Sequence, residues 1–308
     1  MRKHIAVAIV GFRNPGDIAQ CLAALAKATY PHFEVVICEN GGPAACRELA
    51  PTLPGALPGG QNVTLVCATA NGGYAAGVNL CIEASSSADA WWVLNPDTQP
   101  LPTALQRMVE RLEVGDCEVV GSTMLSHDGR VLAYGYRWNT WLGFSRSLGF
   151  GRSPEAPVDV RRLERELTFV SGASMLVSRE FVERVGLMRE DYFLYCEESE
   201  WCVRGARLGL RIGVALDAHV IHAGGASTGA VKGLANRPRL PVFLMQRNSM
   251  LMVRDLFPAR LSVVALPYLA FGLASCARNL ARRQAGYVIA GWWDGVRGRR
   301  GAPDWAPA

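Results

Sequence analysis

The sequence predicts an α/β protein: a mostly parallel, Rossmann-like central sheet flanked by helices, followed by a C-terminal helical tail. Three observations lead there. Strand-like and helix-like runs alternate through the first 120 residues. The strand-like runs, such as IAVAIV and FEVVIC, are continuously apolar and β-branched, as strands covered on both faces must be. Polar and glycine residues follow those runs directly, where a parallel sheet turns into its helices. With 308 residues, 50% hydrophobic and 19% charged, the chain can bury a large core, which excludes a disordered tail or a collagen-like fibre.

Residues 5–10 form the first strand. The N-terminus MRKHIAVAIVGF is basic and then apolar, but Arg13, Asn14 and Pro15 follow without a small-residue cleavage site, so it reads as a strand and not a leader. Residues 17–28 carry Ile18, Cys21, Leu22 and Leu25 at helical spacing, and Pro31 ends that helix. Residues 33–38 form a second strand, stopped by Glu39, Asn40, Gly41 and Gly42. A short helix at 44–50 and a Pro/Gly loop lead to a third strand at 63–66. Asn71, Gly72 and Gly73 then turn the chain into a helix over Tyr74–Ala84. A fourth strand, 91–94, ends at Asn95-Pro96-Asp97. A helix at 102–113 and the start of a strand at 118–120 follow.

Beyond that the pattern loosens. Residues 121–157 read as loops and short strands, and the small apolar run at 168–177 reads as a strand. A helix covers 197–208, with Gly209 as its stop. A strand at 211–215 is followed by His219 and His222 in a loop. The tail carries 17 uncharged residues at 261–277, interrupted by Pro267. Arg254, Arg260, Arg278, Arg282 and Arg283 flank it, and Trp292 and Trp293 lie near Arg297, Arg299 and Arg300. An apolar helix with tryptophans and arginines suits the surface of an anionic membrane. A helical hairpin packed on the domain and a true span are the alternatives.

The net charge of +5 is mild and lacks a dense basic stripe, so no nucleic-acid partner is expected. The nine cysteines show no C-x-x-C pair, which excludes the zinc and dithiol signatures. Set in runs such as VVIC and LVCA, they read as buried thiols of a reducing compartment.

Ligands of parallel sheets bind beyond the carboxyl ends of the strands. Arg13, Asn14, Glu39, Asn40, Asn71 and Asp97 are therefore the residues to inspect. Asp97 offers a hard oxygen to Mg²⁺ or Mn²⁺, ions that take one or two carboxylates plus substrate phosphates; a plain turn aspartate is the alternative. Glu197, Glu198 and Glu200 open a helix. They either complement its dipole or, by mutual repulsion, raise one pKa to make a general base. His222 is a hydrogen-bonding histidine or, as a neutral imidazole, a partner of Asp97 on a metal. The GGAST run after it could close over phosphates. Neither G-x-G-x-x-G nor G-K-[ST] is present, which argues against a nicotinamide enzyme and a P-loop.

Taken together and in order, AIVGFRN, VVICENGG, NGGYAAGVN, LNPDT, FLYCEESEW, HAGGAS and QRNSML are spread over a stretch from about Ile5 to about Arg254, some four-fifths of the chain. With these segments the chain resembles the family 2 glycosyltransferases, inverting enzymes with the GT-A fold. The resemblance implies a catalytic domain over 1–254, with a nucleotide-binding half (1–115) and an acceptor and catalytic half (116–254), and a helical, basic, membrane-associating tail over 255–308. It implies a nucleotide-sugar donor and a glycan or polyprenyl-linked sugar acceptor. Arg13, Glu39, Asn40, Asn71, Gly73, Asn95 and Asp97 would border the donor, Glu39 at the nucleobase. Asp97 and His222 would hold Mg²⁺ or Mn²⁺. Glu198 would be the base, with Glu197 and Glu200 as rivals. Arg247-Asn248 matches an R-N pair without an assigned role.

Two departures stand out. Glu replaces the family's Asp at 39 and 198, and N-P-D replaces D-x-D. Q-x-x-R-W is missing, so one sugar per event is expected. TWLGFSRSLGFGR resembles rhamnosyltransferases acting on lipid-linked sugars, with dTDP-rhamnose as the implied donor and the aromatics Trp138, Trp141 and Phe144 at the acceptor. A cytoplasmic enzyme at the inner face of the membrane follows. The alternative is an inactive module that binds a sugar nucleotide or lipid without turnover.

Overall fold

The computed structural model describes residues 2–222 and 233–307; the GGAST run lies outside the described residues. The first half follows the predicted alternation. Strand β1 (Ile5–Gly11) leads through helix α1 (Pro15–Leu25) to β2 (Phe33–Glu39). Helix α2 (Gly42–Leu49) leads to β3 (Val63–Cys67), and α3 (Tyr74–Ala84) to β4 (Ala90–Leu94). A short strand β5 (Thr98–Pro100), helix α4 (Ala104–Glu113) and β6 (Val119–Leu125) come next. Every residue of β1 and β4 is buried, as their unbroken apolar sequence requires. Helix α4 buries Leu105, Met108, Val109 and Leu112 and turns its charges outward.

The second half contains β7 (Val131–Ala133), the hairpin β8 (Gly135–Asn139) and β9 (Phe144–Leu148), α5 (Val160–Glu166), β10 (Ser174–Ser178), α6 (Arg179–Val185), α7 (Glu197–Arg207) and β11 (Ile212–His222). Helices α8 (Arg239–Leu256), α9 (Leu261–Arg278) and α10 (Arg282–Arg297) complete the described chain. The strand order is β3-β2-β1-β4-β10-β6-β11-β5, with β7 on β6. Strands β3, β2, β1, β4, β6 and β11 run one way. β10 is wedged antiparallel between β4 and β6, and β5 runs antiparallel to β11. The carboxyl ends of the parallel strands therefore share one edge.

Four expectations are corrected. The strand expected over 168–177 begins only at Ser174, which pairs with Leu94; residues before it leave the sheet toward the site. Helices α5 and α6 were not expected, although Asp159 and Ser178 cap them by accepting the N–H of Arg162 and Phe181. His219 and His222 do not lie in a loop. Strand β11 continues through them past a register shift between Ala215 and His219, because β6 and β5 both pair with it. Finally, Cys46 of α2 and Cys67 at the end of β3 form a disulfide, with 5.7 Å between their Cα atoms. Packing of α2 beside β3 brings together two residues 21 apart in sequence. The other seven cysteines are buried free thiols.

Helix α9 is half packed. Val264, Ala265, Tyr268, Gly272 and Cys276 face inward, and the Trp292 indole N–H of α10 donates to the Ala265 carbonyl at 2.7 Å. Its outer stripe, Val263, Leu266, Pro267, Ala270, Phe271 and Ala274, is exposed and wholly apolar. Over Pro258–Arg278 the chain is long and apolar enough to cross a membrane.

The disulfide has a direct check. Denatured without reductant, the protein should titrate seven thiols, and nine after reduction. Nine in both cases would remove the bond and leave the expectation of reduced cysteines standing.

Candidate active site

A cavity of about 480 Å³ opens at the carboxyl edge of β1, β2 and β4. Val10 and Phe12, Asn40, Asn71, Gly73 and Tyr74, and Asn95-Pro96-Asp97 form one side. Ser171–Ala173, Phe193–Tyr195, Glu197 and Glu198 form the other, and His222 lies beside Asp97. Six of the seven segments singled out in the sequence contribute most of this wall, though they are far apart along the chain; QRNSML lies behind it.

The loop before α3 is held by amide side chains. Asn40 donates to the Asn71 Oδ1 at 3.2 Å and to the Gly73 carbonyl at 2.8 Å. Asn71 Oδ1 accepts the Gly73 N–H at 3.1 Å. Gly73 has φ +87°, and a Cβ there would lie 2.1 Å from the Phe193 carbonyl oxygen. That oxygen accepts the Tyr74 N–H at 2.8 Å. Only glycine permits both the backbone angle and the approach. The Tyr74 hydroxyl donates to the Gly172 carbonyl at 2.9 Å, joining the two sides of the cavity.

The segment that meets Gly73 is itself unusual. Phe193, Tyr195 and Cys196 all have positive φ, at 67°, 73° and 70°. Non-glycine residues there cost about 1–3 kcal/mol each. The turn ends at α7, whose first residues are Glu197 and Glu198. Glu197 is buried, and its Oε2 has no hydrogen-bond partner among the described residues. Burial, and then the neighbouring Glu198 charge, raise its pKa well above the carboxylate range. Glu198 is half-buried at the cavity wall. Burial raises its pKa too, while the N–H groups of Glu198 and Ser199 at the helix start pull it down. Glu200 does not line the cavity. It is buried against Arg204, which donates to both its oxygens at 3.0 and 3.2 Å.

Asp97 is buried at the opposite wall. Its Oδ1 lies 3.3 Å from His222 Nε2, because β11 pairs His222 with Thr98, the residue after Asp97. Asn95 Oδ1, also on the wall, has no hydrogen-bond partner among the described residues. Among the described residues no three His, Cys, Asp or Glu side chains converge. A carboxylate, an imidazole and a buried amide oxygen nevertheless match a Mg²⁺- or Mn²⁺-type set that leaves its remaining positions to phosphate oxygens.

Glu39 and Arg13 do not line the cavity. The longer Glu39 side chain folds back, and its Oε1 accepts the N–H of Arg13 at 3.1 Å and of Gly41 at 2.7 Å. The expected acceptor aromatics are elsewhere as well. Trp138 is in the core, Trp141 is exposed at the β8–β9 tip, and Phe144 stacks on Phe271 of α9 at 5.5 Å. They belong to the hairpin, which packs against α9. Tyr74, Gly172 and Pro307 line the cavity without having been singled out. Asn71 Nδ2 donates to the Pro307 carbonyl at 3.0 Å, a contact across 236 positions that no local signal carries.

Comparison with known proteins agrees with this geometry. The sequence model described as Glycosyl transferase family 2 matches residues 6–186, more than half the chain. The low-salt glycan biosynthesis hexosyltransferase Agl10 of Haloferax volcanii is 21% identical, over 99% of this chain and 94% of its own length. The N-acetylglucosaminyl-diphospho-decaprenol L-rhamnosyltransferase of Mycobacterium tuberculosis is 27% identical over 77% of this chain and 82% of its own. Among solved structures, the mannosyltransferase PcManGT from Pyrobaculum calidifontis, in complex with GDP-Man and Mn²⁺, superposes with TM-score 0.61 at 16% identity. It covers 97% of this chain and 88% of its own. S. aureus TarS 1-349 with UDP-GlcNAc gives 0.58 at 13% identity, over 95% and 81%. These likenesses confirm the GT-A fold. A chain whose sequence matches the family over most of the sheet, and whose fold gathers the family's motifs around one cavity, belongs to glycosyl transferase family 2 and is a glycosyltransferase.

Proposed function

We propose that the enzyme transfers one sugar, with inversion, from a nucleotide-diphosphate sugar to a lipid-linked or glycan acceptor in cell-surface polysaccharide synthesis. The observation that carries this reading is the placement of Glu197 and Glu198 in the wall of the same cavity as Asn40, Asn71 and Asp97. The donor would lie against β1, β2 and β4. Asn40 and Asn71 would border its nucleoside, and Glu39 would act by holding the Arg13 and Gly41 backbone behind them. Asp97, His222 and the Asn95 amide oxygen would hold Mg²⁺ or Mn²⁺, which supplies positive charge against a diphosphate leaving group.

The two glutamates divide the acid–base work. Glu197, the more deeply buried, retains a proton. Glu198, half-exposed and facing helix N–H groups, stays available as the base. It takes the acceptor hydroxyl's proton while that oxygen attacks the anomeric carbon from the face opposite the diphosphate. A single displacement inverts the centre and needs no covalent enzyme intermediate. The M. tuberculosis relative and the TWLGFSRSLGFGR segment favour dTDP-rhamnose and a polyprenyl-linked acceptor. In this reading residues 1–115 serve the donor, 116–254 the chemistry and acceptor, and 255–308 the membrane. The outer stripe of α9, with Leu266 66% and Phe271 60% exposed, would rest on the inner leaflet of the cytoplasmic membrane. Trp141 lies beside it, with Arg260 over its ring at 4.2 Å.

Three outcomes test this. In a thermal-shift screen of dTDP-rhamnose, UDP-GlcNAc and GDP-mannose with MnCl₂, one donor at 100 times its Kd should add about 2.7 kcal/mol of stability. Asp97→Ala should remove the metal-dependent part. Stabilisation by none of them would favour the inactive-module reading.

Glu198→Gln should lower transfer by about 10²–10⁴-fold with donor affinity nearly unchanged. The base works ionised and its pKa is raised, so turnover of the parent should fall as pH drops through a value above the ordinary 4.5. A Glu198→Gln enzyme with parental turnover rules out this base.

The parent should float with phosphatidylglycerol vesicles, and Leu266→Glu/Phe271→Glu should stay at the bottom of the gradient. Equal flotation of both would show that α9 does not provide the contact.

A further inference from the structure

Asn248, in the middle of α8, is completely buried beside Leu244, Met250, Leu251 and Met252, all of them fully buried apolar residues. Its one amide NH₂ serves three carbonyls of the turn before α7: Tyr192 at 2.9 Å, Leu194 at 2.7 Å and Tyr195 at 2.8 Å. Two hydrogens shared among three acceptors tie three of the turn's carbonyls to one side chain. Arg247 stands behind it. Its Nε donates to Asn248 Oδ1 at 2.9 Å, which fixes which end of the amide faces the turn. Arg247 also donates to the carbonyls of Tyr192 at 2.9 Å and Gly301 at 2.6 Å. The carbonyls so held interleave with the positive-φ residues Phe193, Tyr195 and Cys196, and Glu197 follows them directly.

We propose that Asn248, oriented by Arg247, is a positioning residue for catalysis: it holds the turn 193–196 in its left-handed conformation and thereby sets the place of Glu198. The proposal rests on Glu198 being the base. The turn has no regular backbone ladder of its own. Without the amide, the Tyr192, Leu194 and Tyr195 carbonyls lose this buried donor, and the side chains at 193, 195 and 196 favour negative φ. The turn would relax, and both ends of its influence would move. One end is α7 with the glutamates. The other is the Phe193 carbonyl, which packs on Gly73 and accepts from Tyr74.

The test uses Asn248→Asp, which keeps the shape and loses both N–H donors, and Asn248→Ala in case a buried carboxylate prevents folding. Hydrogen–deuterium exchange on the full chain needs no ligand. Amides of 193–199 should exchange at least tenfold faster than in the parent, while those of β1 and β4 stay protected. Transfer is read as nucleoside diphosphate release from the donor that stabilises the parent, with a polyprenyl diphosphate-linked sugar as acceptor. Turnover should fall at least 100-fold, and donor KM, through the Gly73 contact, should rise by no more than about fivefold. Cys196→Gly, which accepts positive φ without strain, should restore at least tenfold of the lost turnover in the Asn248 variant.

A purely structural role would speed exchange evenly across the chain, leave turnover per folded molecule unchanged and show no rescue. That result overturns the proposal. The underlying base assignment fails separately. Parental turnover in Glu198→Gln would remove the base, whereas a dead Glu198→Gln beside a fully active Asn248→Ala would remove only the positioning role.

Discussion

The contact between Gly73 and the Phe193 carbonyl is the constraint around which the site is built. It brings the loop between β3 and α3 against the turn between α6 and α7, two segments 120 positions apart. Two stretches of the cavity wall meet there. Glycine is required because the approach leaves no room for a Cβ and because φ is +87°. The Tyr74 N–H bond to the same carbonyl makes the contact polar as well as steric. A shift on one side would therefore be felt on the other.

Around that contact the molecule concentrates groups that are costly to bury. Glu197 and Glu198 sit side by side at a helix start, Asp97 and His222 face one another at strand ends, and Arg247 is buried among carbonyls. Its burial pushes the Arg247 pKa down to about 10. Such groups persist where surrounding structure forces them. Here the surroundings are a sheet with fully buried strands and a long helix, α8, locked under α10. The Arg300 guanidinium, beyond α10, reaches Asp191 at 3.1 Å and Asp255 at 3.0 Å, so the tail also braces the turn below the glutamates. Helix α9 thus packs on this frame with its inner face and exposes its outer one.

Much of the fold was legible because parallel strands are buried on both faces. Continuous apolar runs such as IAVAIV and AWWVL admit few other structures, and the Asn-Gly-Gly punctuation marks their ends. The same logic pointed to Asn40, Asn71 and Asp97, which follow strands, and to the glutamates that open α7. It failed where pairing, not composition, decides. Three-residue β5 has no signature of its own, so neither it nor the extension of β11 through His222 could be read. Glu39 also stands at a strand end, yet its carboxylate accepts the Arg13 and Gly41 N–H groups and does not line the cavity.

By itself, the sequence determined the α/β alternation, the strand ends that line the cavity, and the set of residue types present there. Those follow from local rules: periodicity of two or 3.6, and the backbone limits of glycine and proline. Only the tertiary structure decided which of them meet. It set His222 beside Asp97 through the β5–β11 register, joined Cys46 to Cys67, and laid Asn248 under a strained turn. These are contacts between segments 21 to more than 100 residues apart, and their free energy comes from packing and shared hydrogen bonds that no local window of sequence contains.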